Sequence, residues 1–279
     1  MQLASIRRYP VKSMRGEELA EAAVEPWGLA GDRRWMVVDG DGRSVTAREL
    51  PRMLLLTPRL TDRGLELAGP GMAPLSILAP GDADTKVQVH SNAPYAGSLA
   101  VDDAHAWLTD YLGLAVRLVY ADDPSRRQLD PRFSRPDDSA SFADAYPLLL
   151  TTEESLAQLN DWIAEGPLSA EGPLGMARFR PNVVVSGGRA FEEDGWRRVR
   201  IGDAVFRAVK GCDRCVMTTT DPSTAERGME PIATLARHRR WDGKTWFGMN
   251  LIPDTPGVVV QTGDEVEVLD AEESDGPPR

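Results

Sequence analysis

The chain's two cysteines stand three residues apart, as Cys212-Asp213-Arg214-Cys215. A C-x-x-C pair can serve four chemistries. A structural zinc site asks for about four ligands, from a second such pair or from histidines at ligand spacing. The chain offers only His90, His105 and His238, none of them so paired, which speaks against zinc. A redox dithiol opens a helix after a strand in a βαβ unit. Here the β-branched Val216, Thr218, Thr219 and Thr220 follow, which favours strand. Two ordinary buried cysteines would act as small hydrophobes. The fourth chemistry is a single thiolate ligand to a soft or heavy metal, with Lys210 and Arg214 nearby to favour the thiolate. A cofactor with metal ligands of its own would account for the lack of a Cys or His cluster, and a pterin-type molybdenum cofactor, whose dithiolene supplies two sulfurs, meets that requirement. On these residues alone all four readings stand.

The chain around the pair is a soluble, globular type. Its 279 residues suffice for one large domain or two ordinary ones, and 42% hydrophobic with 27% charged residues is an ordinary balance. No apolar run approaches the roughly 20 residues that span a bilayer, and residues 1–8 lack a signal peptide's apolar core. The expectation is a cytoplasmic protein with no membrane partner. Two cysteines exclude a disulfide scaffold. A net charge of −11 argues against nucleic acid as a partner but leaves room for a local basic pocket. Lys12, Arg15, Arg33, Arg34 and Arg48 cluster early, while the tail after Leu269 is acidic.

Elements must bring distant residues to the pair. Strands are expected over residues 2–8, 19–25, 35–38, 44–48, 53–60, 65–68, 87–90 and 116–120, with Asp-Gly turns at 39–42 and 62–64. Asp102 or Asp103 should cap a helix that carries Trp107, Leu108, Tyr111 and Leu112 and ends at Gly113. Residues 121–140 read as a linker or ordered surface crossing. A second unit begins with a strand at 146–150 and a capping box at Thr151-Thr152-Glu153-Glu154, opening a helix with Leu156, Leu159, Trp162 and Ile163 on one face. Further strands are expected at 183–185, 198–201, 204–209, 246–252, 258–260 and 265–269, and a short helix at 232–238 behind Pro231. There is no solenoid or propeller period.

Six segments in chain order carry a family resemblance: Tyr9-Pro10-Val11-Lys12-Ser13, Gly31-Asp32-Arg33-Arg34-Trp35, Val45-Thr46-Ala47-Arg48, Phe179-Arg180-Pro181-Asn182, the cysteine stretch through Asp221-Pro222, and Phe247-Gly248-Met249-Asn250-Leu251. Together they resemble MOSC-domain proteins with the N-terminal MOSC β-barrel domain in front, a group that includes amidoxime-reducing components and bacterial hydroxylaminopurine reductases. The resemblance covers residues 6 to about 269. It implies a β-rich α+β fold, with an N-terminal β-barrel-like domain over residues 1–122 packed on a MOSC-type β-barrel over 123–270, and a disordered tail, 271–279.

The resemblance also implies a molybdenum cofactor (Mo-molybdopterin) with Cys215 as the metal ligand, held by Lys12, Ser13, Arg33, Arg180 and Asn182. Asp144, Cys212, Asp213 and Asn250 fall at further contact positions, Arg48 is an extra phosphate or pterin partner, and Asp221 is a candidate catalytic proton relay. The pterin's phosphate suits Lys12, Arg33 and Arg180 as charge-assisted donors, and Asn182 could both donate to and accept from a pterin edge. The implied activity is reduction of small N-hydroxylated compounds, N–OH to N–H. The expectation is a protein without the four-cysteine iron–sulfur domain or the membrane anchor of some relatives, with electrons from a separate ferredoxin- or cytochrome-like donor and its reductase. The family is also associated with pyridoxal phosphate binding. A sulfur carrier working through a persulfide on Cys215 or Cys212, and a non-catalytic cofactor-transfer protein, are the alternatives.

Overall fold

The computed structural model describes residues 1–81, 85–90 and 92–273. In chain order the first half holds strands β1 (Gln2–Arg8), β2 (Glu17–Leu19), β3 (Glu21–Glu25), β4 (Gly28–Leu29), β5 (Trp35–Val38), β6 (Thr57–Thr61), β7 (Gly64–Gly69), β8 (Met72–Leu78), β9 (Thr85–Val87) and β10 (Tyr95–Leu99), then helix α1 (Asp102–Leu112) and β11 (Arg117–Tyr120). The second half holds β12 (Leu148–Thr152), α2 (Glu153–Ala164), β13 (Val183–Ser186), β14 (Trp196–Ile201), β15 (Ala204–Asp213), α3 (Ile232–His238), β16 (Arg240–Trp241), β17 (Lys244–Pro253), β18 (Val259–Gln261) and β19 (Val266–Ala271).

A nine-stranded sheet in the order β19-β14-β15-β17-β12-β13-β1-β2, with β16 on β17, curls around one apolar core. The small sheet β18-β3-β4 adds Ala22, Val24, Leu29 and Val260 to that same core. A chain boundary near residue 122 therefore does not divide this barrel: β1 pairs antiparallel with β13, and β3 with β18. A second core lies under β6-β7-β8 and α1, where Leu65, Leu67, Ile77, Ala104 and Leu108 are buried. The fold is β-rich, as expected.

Several local expectations are corrected. Residues 44–48 make only an isolated bridge, Val38 to Ser44. The chain turns instead at Thr46, whose hydroxyl donates to Glu49 Oε2 at 2.5 Å while that carboxylate accepts the Thr46 N–H at 3.2 Å. Thr-x-x-Glu is the capping-box spacing. Pro51 opens a 3-10 helix, Pro51–Leu55, where a strand was expected. Helix α1 has Val101 at its N-cap, with Asp102 and Asp103 in its first turn, where they complement the helix dipole. In α2 the capping contact runs from the Ser155 N–H to Thr152 Oγ1, so Thr152 is the cap and Glu154 lies outside the exchange. Strand β19 continues through Asp270 and Ala271, and the Glu272 N–H donates to Gly195 O at 2.8 Å. That is ordered chain inside the expected tail, whose residues 274–279 lie outside the described residues.

The 121–140 stretch is an ordered crossing. Arg127 is buried and donates to the carbonyls of Ser141, Ala143 and Asp144. Arg207 donates to Asp138 Oδ1 at 2.6 Å and to Asp254 Oδ1 at 2.7 Å, tying the crossing to β15 and β17. Every buried cation here has carbonyl or carboxylate acceptors, the condition for burying charge. These bonds hold the backbone that presents Asp144.

Candidate functional site

The cysteine pair sits where the barrel's longest strands end. The turn Gly202-Asp203 reverses the chain between β14 and β15, pairing Val199 with Phe206 and Ile201 with Ala204. Strand β15 alternates buried and part-exposed residues as far as Val209, where its pairing with β17 shifts register. The next residues form a 3-10 turn, Val216–Thr219, with Cys215 at its N-cap, and not the strand that their β-branched side chains suggested. The reason is local. Thr218 Oγ1 donates to Cys215 O at 3.0 Å and Thr219 Oγ1 to Val216 O at 2.8 Å, so the hydroxyls reinforce the i−3 turn.

Both thiols are free and partly exposed, and their surroundings differ. Cys212 Sγ accepts from Arg214 Nη1 at 2.8 Å, yet burial pushes its thiol pKa up. Cys215 Sγ accepts from Arg48 Nε at 3.2 Å, a residue 167 positions earlier in the chain. The expected helpers of the thiolate are placed elsewhere: Arg214 serves Cys212, and Lys210 Nζ lies 4.9 Å over the Phe133 ring.

Cys215 opens into a cleft of about 240 Å³ lined by Lys12, Ser13, Arg33, Arg48, Asp144, Arg180, Asn182, Cys212, Asp213 and Asn250, which brings ten of the expected site residues to one place beside it. Arg178, Phe179, Arg214, Met217 and Thr218 complete much of the wall. Six of the lining side chains are cationic and two are carboxylates, an electropositive surface suited to an anion.

The inner wall is built on strained backbone. Ser13, Arg33 and Arg180 have φ of 67°, 48° and 56°, a left-handed conformation that side-chain-bearing residues adopt at a cost and only where the surroundings hold them there. Tyr9, buried, lies between two guanidinium groups, with Arg33 at 4.6 Å and Arg180 at 4.2 Å from its ring centroid. Arg33 donates to Asp32 and, at 3.1 Å, to Asn182 Oδ1. Arg180 Nη1 donates to Met14 O at 2.7 Å, while its buried Nη2 has no partner, and burial lowers the Arg180 pKa to about 10. The Nε of Arg214 is likewise buried without a partner.

Asn182 is committed to the protein. Its Oδ1 accepts from Arg33 and from the Leu149 N–H, and its Nδ2 donates to Arg7 O at 3.2 Å. It orients Arg33 and locks β1 to the start of β12, which corrects the picture of a free donor and acceptor for a pterin edge. Asn250 Nδ2 donates to Gly211 O at 3.1 Å across β15 and β17. The Gly248 before it has φ of 82°, and a Cβ there would meet Leu150 O at 2.6 Å, so the Phe-Gly-Met-Asn run needs its glycine for close strand approach.

At the mouth, the half-exposed Asp144 carboxylate gathers three donors. Lys12 Nζ reaches Oδ1 and also donates to Phe142 O at 2.9 Å. Arg48 Nη2 reaches Oδ2 at 2.8 Å, and His90 Nε2 lies 3.0 Å from Oδ1. Desolvation in the cleft opposes ionisation of Asp144, but Lys12, His90 and Arg48 override it and hold its pKa well below the carboxylate range. Burial lowers the Lys12 pKa to about 8.

One expected residue lies outside the cleft and another sits at its rim. Asp221 does not line the cleft: its Oδ1 accepts from the Ser223 N–H and hydroxyl at 2.8 and 2.5 Å, and its Oδ2 from Arg178 Nη2 at 3.1 Å. The Ser223 hydroxyl bond and Arg178 lower its pKa, and in this position it shapes a turn outside the cleft. Asp213 lines the rim with its carboxylate 3.1 Å from Lys244 Nζ. Sequence reasoning missed Asp32, Tyr9, Arg178 and His90. The capping-box spacing Thr46-x-x-Glu49 was a readable signal for the turn that presents Arg48. His90 had none, since its partners lie 42 and 54 residues away.

Comparison with known proteins follows this geometry. Residues 1–115 match the MOSC N-terminal beta barrel domain and residues 137–267 the MOSC domain. The chain is 32% identical to mitochondrial amidoxime-reducing component 1 of Homo sapiens, over 96% of this chain and 82% of that one. It is 36% identical to mitochondrial amidoxime reducing component 2 of Rattus norvegicus, over 84% of this chain and 71% of that one. The chain belongs to the MOSC family. Within this MOSC protein both matched regions contribute to the cleft: Lys12, Arg33 and Arg48 come from the first, Asp144, Arg180 and Cys215 from the second. No helix among the described residues is long and apolar enough to cross a membrane.

Proposed function

We propose that this protein reduces N-hydroxylated compounds, N–OH to N–H, with a molybdenum cofactor held in the cleft through Cys215 and electrons delivered by a separate donor protein. The observation that carries the reading is the position of the Cys215 thiol in a cleft whose wall is cationic and holds unpartnered buried donors on Arg180 and Arg214. A phosphate-bearing pterin fits that donor set, because buried N–H groups without acceptors are costly unless a ligand completes them. The names of the amidoxime-reducing relatives support the substrate class.

Lys12, Arg33 and Arg180 bind and neutralise the cofactor's phosphate in this reading, and Ser13 adds a hydroxyl beside them. Asn182 acts through Arg33, holding its fork in plane. Arg48 fixes the Cys215 sulfur from the opposite side of the cleft. When bound, the molybdenum centre supplies the two-electron chemistry that splits the N–O bond. The half-exposed Asp144 marks the side of the cleft through which a substrate would enter.

The test is metal content together with turnover. Protein purified from a host that makes the cofactor should carry about one molybdenum per chain and reduce a simple aromatic amidoxime with a chemical reductant. Cys215→Ser should lose the metal and activity by more than about 100-fold, the upper scale for losing a mere outer-shell partner. Cys212→Ser should be milder. Wild-type protein without stoichiometric molybdenum overturns the reading. Equal loss in the two serine variants with no metal in either parent or variant favours a persulfide carrier.

A further inference from the structure

His90 does not line the cleft but contacts two residues that do, Arg48 and Asp144, and the proposed cofactor pocket does not use it. It stands on a turn after β9 with φ of 50°, in the left-handed region. Its N–H donates to Ser44 Oγ at 3.3 Å. Its side chain is about one-third exposed (32%), so one side of the ring meets solvent. The other meets charge: Nε2 lies 2.6 Å from Arg48 Nη1 and 3.0 Å from Asp144 Oδ1. Arg48 Nη1 also lies 3.3 Å from Nδ1, so with its proton on Nε2 the ring donates to Asp144 while Nδ1 faces the guanidinium. Lys12 stands behind Asp144 on the same oxygen.

Resting on the reading above, converting N–OH to N–H breaks the N–O bond, puts one hydrogen on nitrogen and releases the oxygen as water. The balance is two electrons, from the separate donor, and two protons. The groups around the mouth differ in their fitness to bring protons in. Arg48 stays charged at all working pH. Asp144 is held ionised and can pass a proton only as it receives one. Histidine is the side-chain type that gains and loses a proton near neutral pH.

We propose that His90 and Asp144 form the proton-entry path of the cleft, His90 at the solvent end and Asp144 at the substrate end, with Arg48 stabilising the imidazole once its proton has left. A proton from solvent enters on the part-exposed ring and passes to Asp144 across the 3.0 Å Nε2–Oδ1 contact. It is a positioning and relay residue, because Asp144 lines the cleft and His90 does not. The arrangement makes turnover dependent on the first half of the chain as well as on the half that carries Cys215.

The experiment compares wild type, His90→Gln and Asp144→Asn as holoenzymes across pH 5.5–8.5, with molybdenum content measured on each. The path predicts that His90→Gln keeps its metal, loses about tenfold or more in kcat with KM little changed, flattens the pH profile, and recovers part of the rate with added imidazole. A second readout uses no turnover. With only three histidines in the chain, ring NMR of the metal-free protein can follow His90 directly, its signals assigned by their loss in His90→Gln. Asp144→Asn should change how the His90 ring signals respond to pH, because it removes the anion 3.0 Å from Nε2. An unchanged pH profile in His90→Gln, or a pH response of the His90 ring signals indifferent to Asp144→Asn, overturns the relay while wild-type turnover leaves the reductase reading standing. Wild-type holoenzyme that reduces no N-hydroxylated compound overturns both.

Discussion

Two acidic clusters in this molecule meet opposite fates. Asp144 at the cleft mouth is surrounded by Lys12, Arg48 and His90 and is driven well below the carboxylate range. Glu193, fully buried behind the barrel, accepts instead from two hydroxyls, Ser155 Oγ at 2.8 Å and Thr152 Oγ1 at 3.2 Å. Burial, and next the charge of Asp194, raise its pKa to about 7. Its neighbour Asp194 has taken the available cation, Arg239. The difference teaches that solvent removal pushes both acids the same way, and that the charge of the donors decides the outcome. At the mouth an anion is kept ready among cations. Behind the barrel, a carboxyl that is easily neutralised ties the start of α2 to the turn Glu192–Gly195.

Asp144→Asn is the strongest way to break the contrast. It removes the anion that joins three donors from three parts of the chain, and should lower turnover of an N-hydroxylated substrate by about 100-fold or more at unchanged molybdenum content. Stability should fall only modestly, since the carboxylate is half exposed and its pairs are partly screened.

Glu193→Gln sharpens the other side. The folded pKa, about 7, lies above the ordinary 4.5. Glu193 therefore stabilises the fold fully below about pH 4.5, and that contribution is lost as pH rises to about 7. The glutamine variant, which never ionises, should gain on wild type across that window. The gain should reach on the order of 3 kcal/mol above pH 7, read by denaturant unfolding at pH 5 and pH 8. A pH-independent difference would show that Glu193 is already ionised at no cost.

Asp221→Asn probes a third carboxylate and should do least. The Asp221 pKa is lowered by the Ser223 hydroxyl, so its contribution is present above pH 4 and is lost on acidification. Replacing it should cost about 1 kcal/mol of stability through the weakened turn and leave turnover within about twofold. A larger loss of turnover would restore a role for Asp221 near the chemistry.

How much of this was legible follows from the range of the interactions. The β14–β15 hairpin was readable because Gly202-Asp203 and the alternation on either side are local signals. So was α3, whose bounds coincide with the expected 232–238. Strands 72–78 and 95–99 went unread, since β8 carries exposed and part-exposed residues at most positions and β10 includes a glycine and no clean alternation. The cleft residues were legible through six short segments, and the structure gathers them. What those segments withheld was partner choice: that Arg48 and not Arg214 meets Cys215, that Asn182 serves Arg33, and that Asp221 serves a turn.

Strand alternation and turn chemistry, written in neighbouring residues, determined the β-rich class of fold, while most of the cleft residues and the thiol were named only through the resemblance that six short segments carry. Tertiary structure alone decided which charges meet. Arg48 and Cys215 are 167 residues apart, and Lys12 and Asp144 are 132 apart. Coulomb interactions act over a few ångströms of space, and a sequence records distance only along the chain.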